Sequence, residues 1–164
     1  MGIYRAYEVD SLGASISGTS ATPLLYFATT STNDANLCKI KVAIEGASSP
    51  APPSNGSVLF VVAKVTGTVG GGGSVTPQAL TASGLAANTT FTSANAGAIT
   101  GLTQGVTLWT GVVPFTAGAS WSDDFENTGL EINLAASGKF AIYYTAASGA
   151  GSGCNARAAL WFAE

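Results

Sequence analysis

The chain has 164 residues, of which only 9% are charged: 6 Lys+Arg, 9 Asp+Glu and no His. Without His the commonest general base and metal ligand is missing, and six scattered cations make no basic face for nucleic acid. Ser and Thr together number 36 and hydrophobic residues make up 46%, which excludes the highly charged, apolar-poor pattern of disorder.

Met1 to Glu8 show no basic stretch followed by an apolar one, so no secretory leader is expected. No window approaches 18 apolar residues, so no membrane helix is expected either. Residues 1–22 hold Tyr4 and Tyr7, then small side chains with little to bury, and are expected to form an N-terminal arm or linker. Residues 23–164 are expected to form one domain, since a chain of this size buries roughly 70% of its unfolded surface. After a weak run from Pro23 to Thr29, Cys38, Ile40, Val42 and Ile44 alternate with Lys39, Lys41, Ala43 and Glu45, the period-2 mark of a half-buried strand. Residues 46–56, rich in Pro and Ser, are expected to form a surface loop. Val58 to Val65 is an apolar run broken by Lys64, expected to be a central strand covered on both faces.

Gly70 to Ser74 is a Gly-rich turn, and Val75 to Leu80 reads as an edge strand, because Pro77 cannot donate to a central ladder. Residues 81–95 hold at most a short helical turn near Leu85, Ala86 and Ala87. Further strands are expected at Val106 to Phe115, around Leu130, Ile132 and Leu134, around Phe140, Ile142 and Tyr144, and around Ala156, Ala158, Leu160 and Phe162. Roughly eight strands with turn clusters and loops of about ten residues predict an all-β, jelly-roll β-sandwich.

Chemistry-bearing patterns are few. Asp123, Asp124 and Glu126 could hold a hard cation, but their spacing fits no calcium loop and a solvated loop is the simpler reading. No pair of carboxylates is singled out for hydrolysis, and no base other than Lys stands ready to activate a serine. No catalytic residue, cofactor or metal is therefore assigned. Trp109 and Trp121 suit sugar stacking or packing. Trp161 is out of phase with Leu160 and Phe162, so it points away from the core and suits a protein interface. Cys38 and Cys154 leave pairing open, with unpaired small hydrophobes the simpler reading.

Three features carry a likeness: the order of amphipathic strand, Pro/Ser loop and apolar strand; the Gly-rich turn followed by Thr76-Pro77-Gln78-Ala79-Leu80; and the ending Leu160-Trp161-Phe162-Ala163-Glu164. Over roughly residues 24–164 they resemble the small jelly-roll decoration, or cement, proteins of tailed bacteriophages. The resemblance implies a non-enzymatic protein that binds the major capsid protein on the outside of the head as a homotrimer, assembled in the host cytoplasm, with no nucleic-acid or membrane partner. On that reading Tyr4, Arg5, Tyr7 and Glu8 are expected to contact the capsid, and Tyr143 and Trp161 the neighbouring subunit. A tail or fibre component that binds a receptor or carbohydrate is the alternative.

Overall fold

Alternation of inward apolar and outward polar side chains repeats along most of the chain, and the backbone answers with strands. The computed structural model describes residues 6–16, 19–46, 56–80, 85–115, 118–125, 132–146 and 154–164. Its strands are β1 (Ala6–Asp10), β2 (Ala14–Ser15), β3 (Thr22–Ala28), β4 (Ala35–Glu45), β5 (Ser57–Gly70), β6 (Gly73–Val75) and β7 (Gln78–Ala79). They continue with β8 (Thr90–Ser93), β9 (Thr100–Pro114), β10 (Ser120–Asp124), β11 (Ile132–Leu134), β12 (Lys139–Ala146) and β13 (Asn155–Ala163). Among the described residues thirteen strands therefore stand where about eight were expected, and five of the thirteen span only two to four residues. Among the described residues the helical content is one 3-10 turn, Ala94–Ala96, and not the expected turn at Leu85.

The strands form two antiparallel sheets. One has seven strands in the order β10-β4-β13-β1-β7, with β11 also on β4 and β2 also on β13. The other has six in the order β6-β8-β3-β12-β5-β9. Their facing sides share one core. Val9, Ile40, Val42, Leu160 and Phe162 meet Leu25, Phe27, Phe60, Val62, Phe140 and Ile142. Stacked rings tie it together: Phe27 lies 5.8 Å from Phe91 and 5.6 Å from Phe140, and Tyr7 lies 5.3 Å from Phe162. Each such side chain is worth roughly 1.5–3 kcal/mol on burial.

Residues 6–16 correct the expectation of an arm. β1 is paired on both sides, with β13 and with β7. Tyr7 and Val9 enter the core, as does Ile16 further on. A five-residue strand supplies only two inward side chains, too short a pattern to stand out in the sequence.

The stretch expected as one edge strand at Val75 to Leu80 is split. β6 borders the six-stranded sheet and β7 the seven-stranded one, and Pro77 lies between them, outside both ladders. β5 is covered on both faces. Val58, Phe60 and Val62 enter the main core, whereas Val61, Ala63 and Val65 join a second cluster with Tyr26, Ile99, Ala141 and Tyr143 on the sheet's outer side. Where β5 and β9 run on together, Gly67 and Gly101 cross closely. A Cβ on Gly67, whose φ is +101°, would lie 2.2 Å from the Gly101 carbonyl oxygen, so only glycine fits.

Candidate functional site

The outward positions of the seven-stranded sheet gather much of the chain's charge. Of the six Lys+Arg and nine Asp+Glu in the sequence, Lys39, Lys41, Arg157, Glu8, Asp10, Glu45 and Asp124 belong to this face. Pairing register sets them in rows. Glu8 on β1 is opposite Trp161 on β13, which is opposite Lys39 on β4, which is opposite Asp124 on β10. In the next row Asp10, Ala159, Lys41 and Ser122 follow in the same way. Arg157 stands opposite Ala43 one row further on.

The small side chains Ala43 and Ala159 leave a shallow depression of about 280 Å³, walled by Glu8, Asp10, Lys41, Glu45, Arg157 and Trp161. Arg157 is its fixed point. Its Nε donates to both Asp10 carboxylate oxygens at 2.8 and 2.9 Å, and its Nη1 donates to Glu45 Oε1 at 2.7 Å. Hydrogen bonds to Asp10 first and Glu45 second raise the already high pKa of the guanidinium. Lys39 Nζ sits 5.2 Å from the centroid of the Trp161 ring, a cation–π contact. Glu8 and Lys41 form no ion pair among the described residues.

At one rim the chain turns through Leu12. Its N–H donates to Asp10 Oδ1 at 2.8 Å. Its φ is +61°, a left-handed conformation that strains a leucine, and it is 59% exposed. Ser11 beside it is buried and locked: its N–H donates to Ala158 O at 2.9 Å, and its hydroxyl accepts from the Ala158 N–H at 2.9 Å.

The residues singled out from sequence divide. Tyr4 and Arg5 lie outside the described residues. Tyr7 is only 1% exposed and its hydroxyl donates to Leu85 O at 3.2 Å, so it is a core residue and not a capsid contact. Glu8 and Trp161 share the face just described. Tyr143 is 4% exposed within the second cluster, on the other sheet from Trp161, so it offers no surface to a subunit. Its phase along β12 points outward, but on that side it is buried in a cluster with Tyr26, Val61, Ala141 and Ile99, against which Val69 and Leu102 pack.

Trp109 is buried, and its Nε1 donates to Asp123 Oδ2 at 2.6 Å, linking β9 to β10. That leaves it unfit as a sugar platform, whereas Trp121 on β10 is half exposed. Glu126 lies outside the described residues. Among the described residues no three His, Cys, Asp or Glu side chains group as for a metal ion. Cys38 and Cys154 are not bonded to each other. Sequence reasoning passed over Arg157 and Leu12, the first because its partners are more than 100 residues away, the second because nothing local announces a left-handed leucine.

No protein-family model matches the chain, and no curated protein or solved structure matches it either.

Proposed function

We propose that this chain is a non-catalytic jelly-roll protein that decorates the outside of a tailed-phage head. Strand order supports the jelly roll. Eight strands have five or more residues: β1, β3, β4, β5, β9, β10, β12 and β13. Counted one to eight, they lie in the orders 1-8-3-6 and 2-7-4-5 across the two sheets, which is the order two interleaved Greek keys produce.

The observation that carries the decorating role is the uncharged strip along β9. Thr100–Pro114 holds fifteen residues with no charge, and β9 pairs only with β5, so its other side is an open edge among the described residues. Val106 and Val112 are exposed on it, and Leu59, opposite Val112, is exposed as well. A long neutral edge is a liability in a free protein, while depletion of charge is what the centre of a protein interface requires. This strip is the surface that meets the shell. The trimer that the resemblance implies would bring three such strips to one lattice site, and their contacts would reinforce one another through effective concentration.

Co-sedimentation with empty heads of the phage that encodes the chain tests this reading. The wild type pellets with the heads, and Val106→Lys with Val112→Lys does not. Failure of the wild type to bind, or its location in the tail by electron microscopy, overturns the reading. Light scattering tests the trimer separately.

A further inference from the structure

In the rows of Trp161 and Ala159 the charge on the seven-stranded sheet is sorted by strand, while Glu45 at the far end of β4 binds Arg157. β1 carries Glu8 and Asp10, β4 carries Lys39 and Lys41, and β13 runs between them as their common neighbour. Over these two rows the face is thus an acidic stripe, a central strand and a basic stripe, with matching rows fixed by the hydrogen-bond register. From this we infer that the face pairs with the same face of a second copy about a two-fold axis running along β13.

The geometry follows from symmetry. Such an axis lays β1 of each copy over β4 of the other and keeps the rows in step, as an isologous contact must. Glu8 then meets the partner's Lys39, and Asp10 meets the partner's Lys41. Trp161 lies on the axis and meets its own copy, which suits an aromatic anchor. Ala159, also on the axis, removes bulk between the sheets. The other charges of the face do not oppose this arrangement. Arg157 comes near its own copy, but Asp10 and Glu45 neutralise it. Asp124 stands beside Lys39 at the outer border of the basic stripe.

Leu12 is a second, independent observation. It continues the β1 side one step beyond Asp10, level with the row of Arg157 and Ala43. Among the described residues this leucine is strained and exposed, and none of them covers it. Across the two-fold it faces the gap above the partner's Ala43. A two-fold contact cannot sit inside a three-fold unit, so it joins such units or single chains. It stands or falls independently of the capsid reading.

Charge reversal provides the test. Glu8→Lys alone sets Lys against Lys39 twice in the pair, and Lys39→Glu alone sets Glu against Glu8 twice. Mixed together, the two variants restore both contacts, because each supplies what the other lacks. Sedimentation velocity is expected to show association of the wild type, at least tenfold weaker association of each variant alone, and recovery in the mixture. Lys41→Glu mixed with Glu8→Lys stays apart, because those positions belong to different rows. Trp161→Ala removes the axial contact without a change of charge and also weakens association. The inference is overturned by a wild type that stays unassociated up to about 1 mM, by a mixture no better than its parts, or by a Trp161→Ala variant that associates like the wild type. Circular dichroism confirms that each variant is folded, and Trp161→Ala serves if Lys39→Glu is not.

Discussion

The two outer faces of the molecule are made by the same alternation and reach opposite ends. On the seven-stranded sheet the outward positions are ionic, arranged around Arg157 and left half open. On the six-stranded sheet Tyr26, Val61, Ala63, Val65, Ala141 and Tyr143 are outward yet buried in a second cluster, while Leu59 and Val112 toward the β9 edge stay exposed. Period-2 patterning therefore says which side chains point away from the core. It does not say which of those will meet water. The difference lies in what covers the face: Ile99, Leu102 and Val69 close over the six-stranded sheet, whereas a depression remains on the other.

The largest expected effect contrasts one residue type on the two faces. Ala141→Lys forces a charge into a fully buried outward position. It should cost about 3 kcal/mol or more, since the ammonium finds neither water nor a partner. Ala159→Lys, outward on the other sheet, should stay within about 0.5 kcal/mol. Urea denaturation of the pair measures the contrast, and equal losses would erase the distinction between the faces.

A smaller effect of opposite sign is expected at Tyr143, whose buried hydroxyl has no hydrogen-bond partner among the described residues. Tyr143→Phe should stabilise the fold by about 1 kcal/mol, because it removes a desolvated polar atom. Burial also raises the pKa of Tyr143 and of Tyr26 above the ordinary 10.0. The folded state thus holds these protons more tightly than the unfolded one, so their contribution is intact below pH 10 and falls as pH climbs beyond it. Melting between pH 9 and about pH 11 should show a steeper loss for the wild type than for Tyr143→Phe.

On the charged face, Arg157→Ala leaves Asp10 and Glu45 facing each other without their cation. The groups are partly exposed, so the cost should be only about 1 kcal/mol. That loss should shrink in high salt, where the remaining repulsion is screened. Smallest of all, Leu12→Asn should leave the melting temperature almost unchanged, because Asn accepts a left-handed backbone. It should nevertheless weaken self-association in the sedimentation assay, and a Leu12→Asn variant that associates normally would remove Leu12 from the contact.

Much of this architecture was legible in the residues. The alternations of Ile40, Val42 and Ile44 and of Ala156, Ala158, Leu160 and Phe162 named both their strands and the inward sides of those strands. The run from Val58 to Val65 announced a strand covered twice, and Trp161 was read as outward. Residues 6–16 were misread as an arm, because two inward side chains make too short a signal beside Gly- and Ser-rich neighbours. The site was less legible. Its fixed point joins Asp10, Glu45 and Arg157, which come together only through the sheet, and no spacing along the chain encodes a neighbour across a strand.

Composition and periodicity by themselves determined an all-β chain with little charge, apolar side chains turned inward and no histidine chemistry. The tertiary structure alone decided which strands are neighbours, and so set Glu8 and Asp10 on one side of β13 and Lys39 and Lys41 on the other. It also decided that Tyr7 and Tyr143 are buried while Leu12 is not. The physical reason is that a strand's period fixes the direction of each side chain locally, whereas pairing, register and cover are contacts between residues distant in the chain.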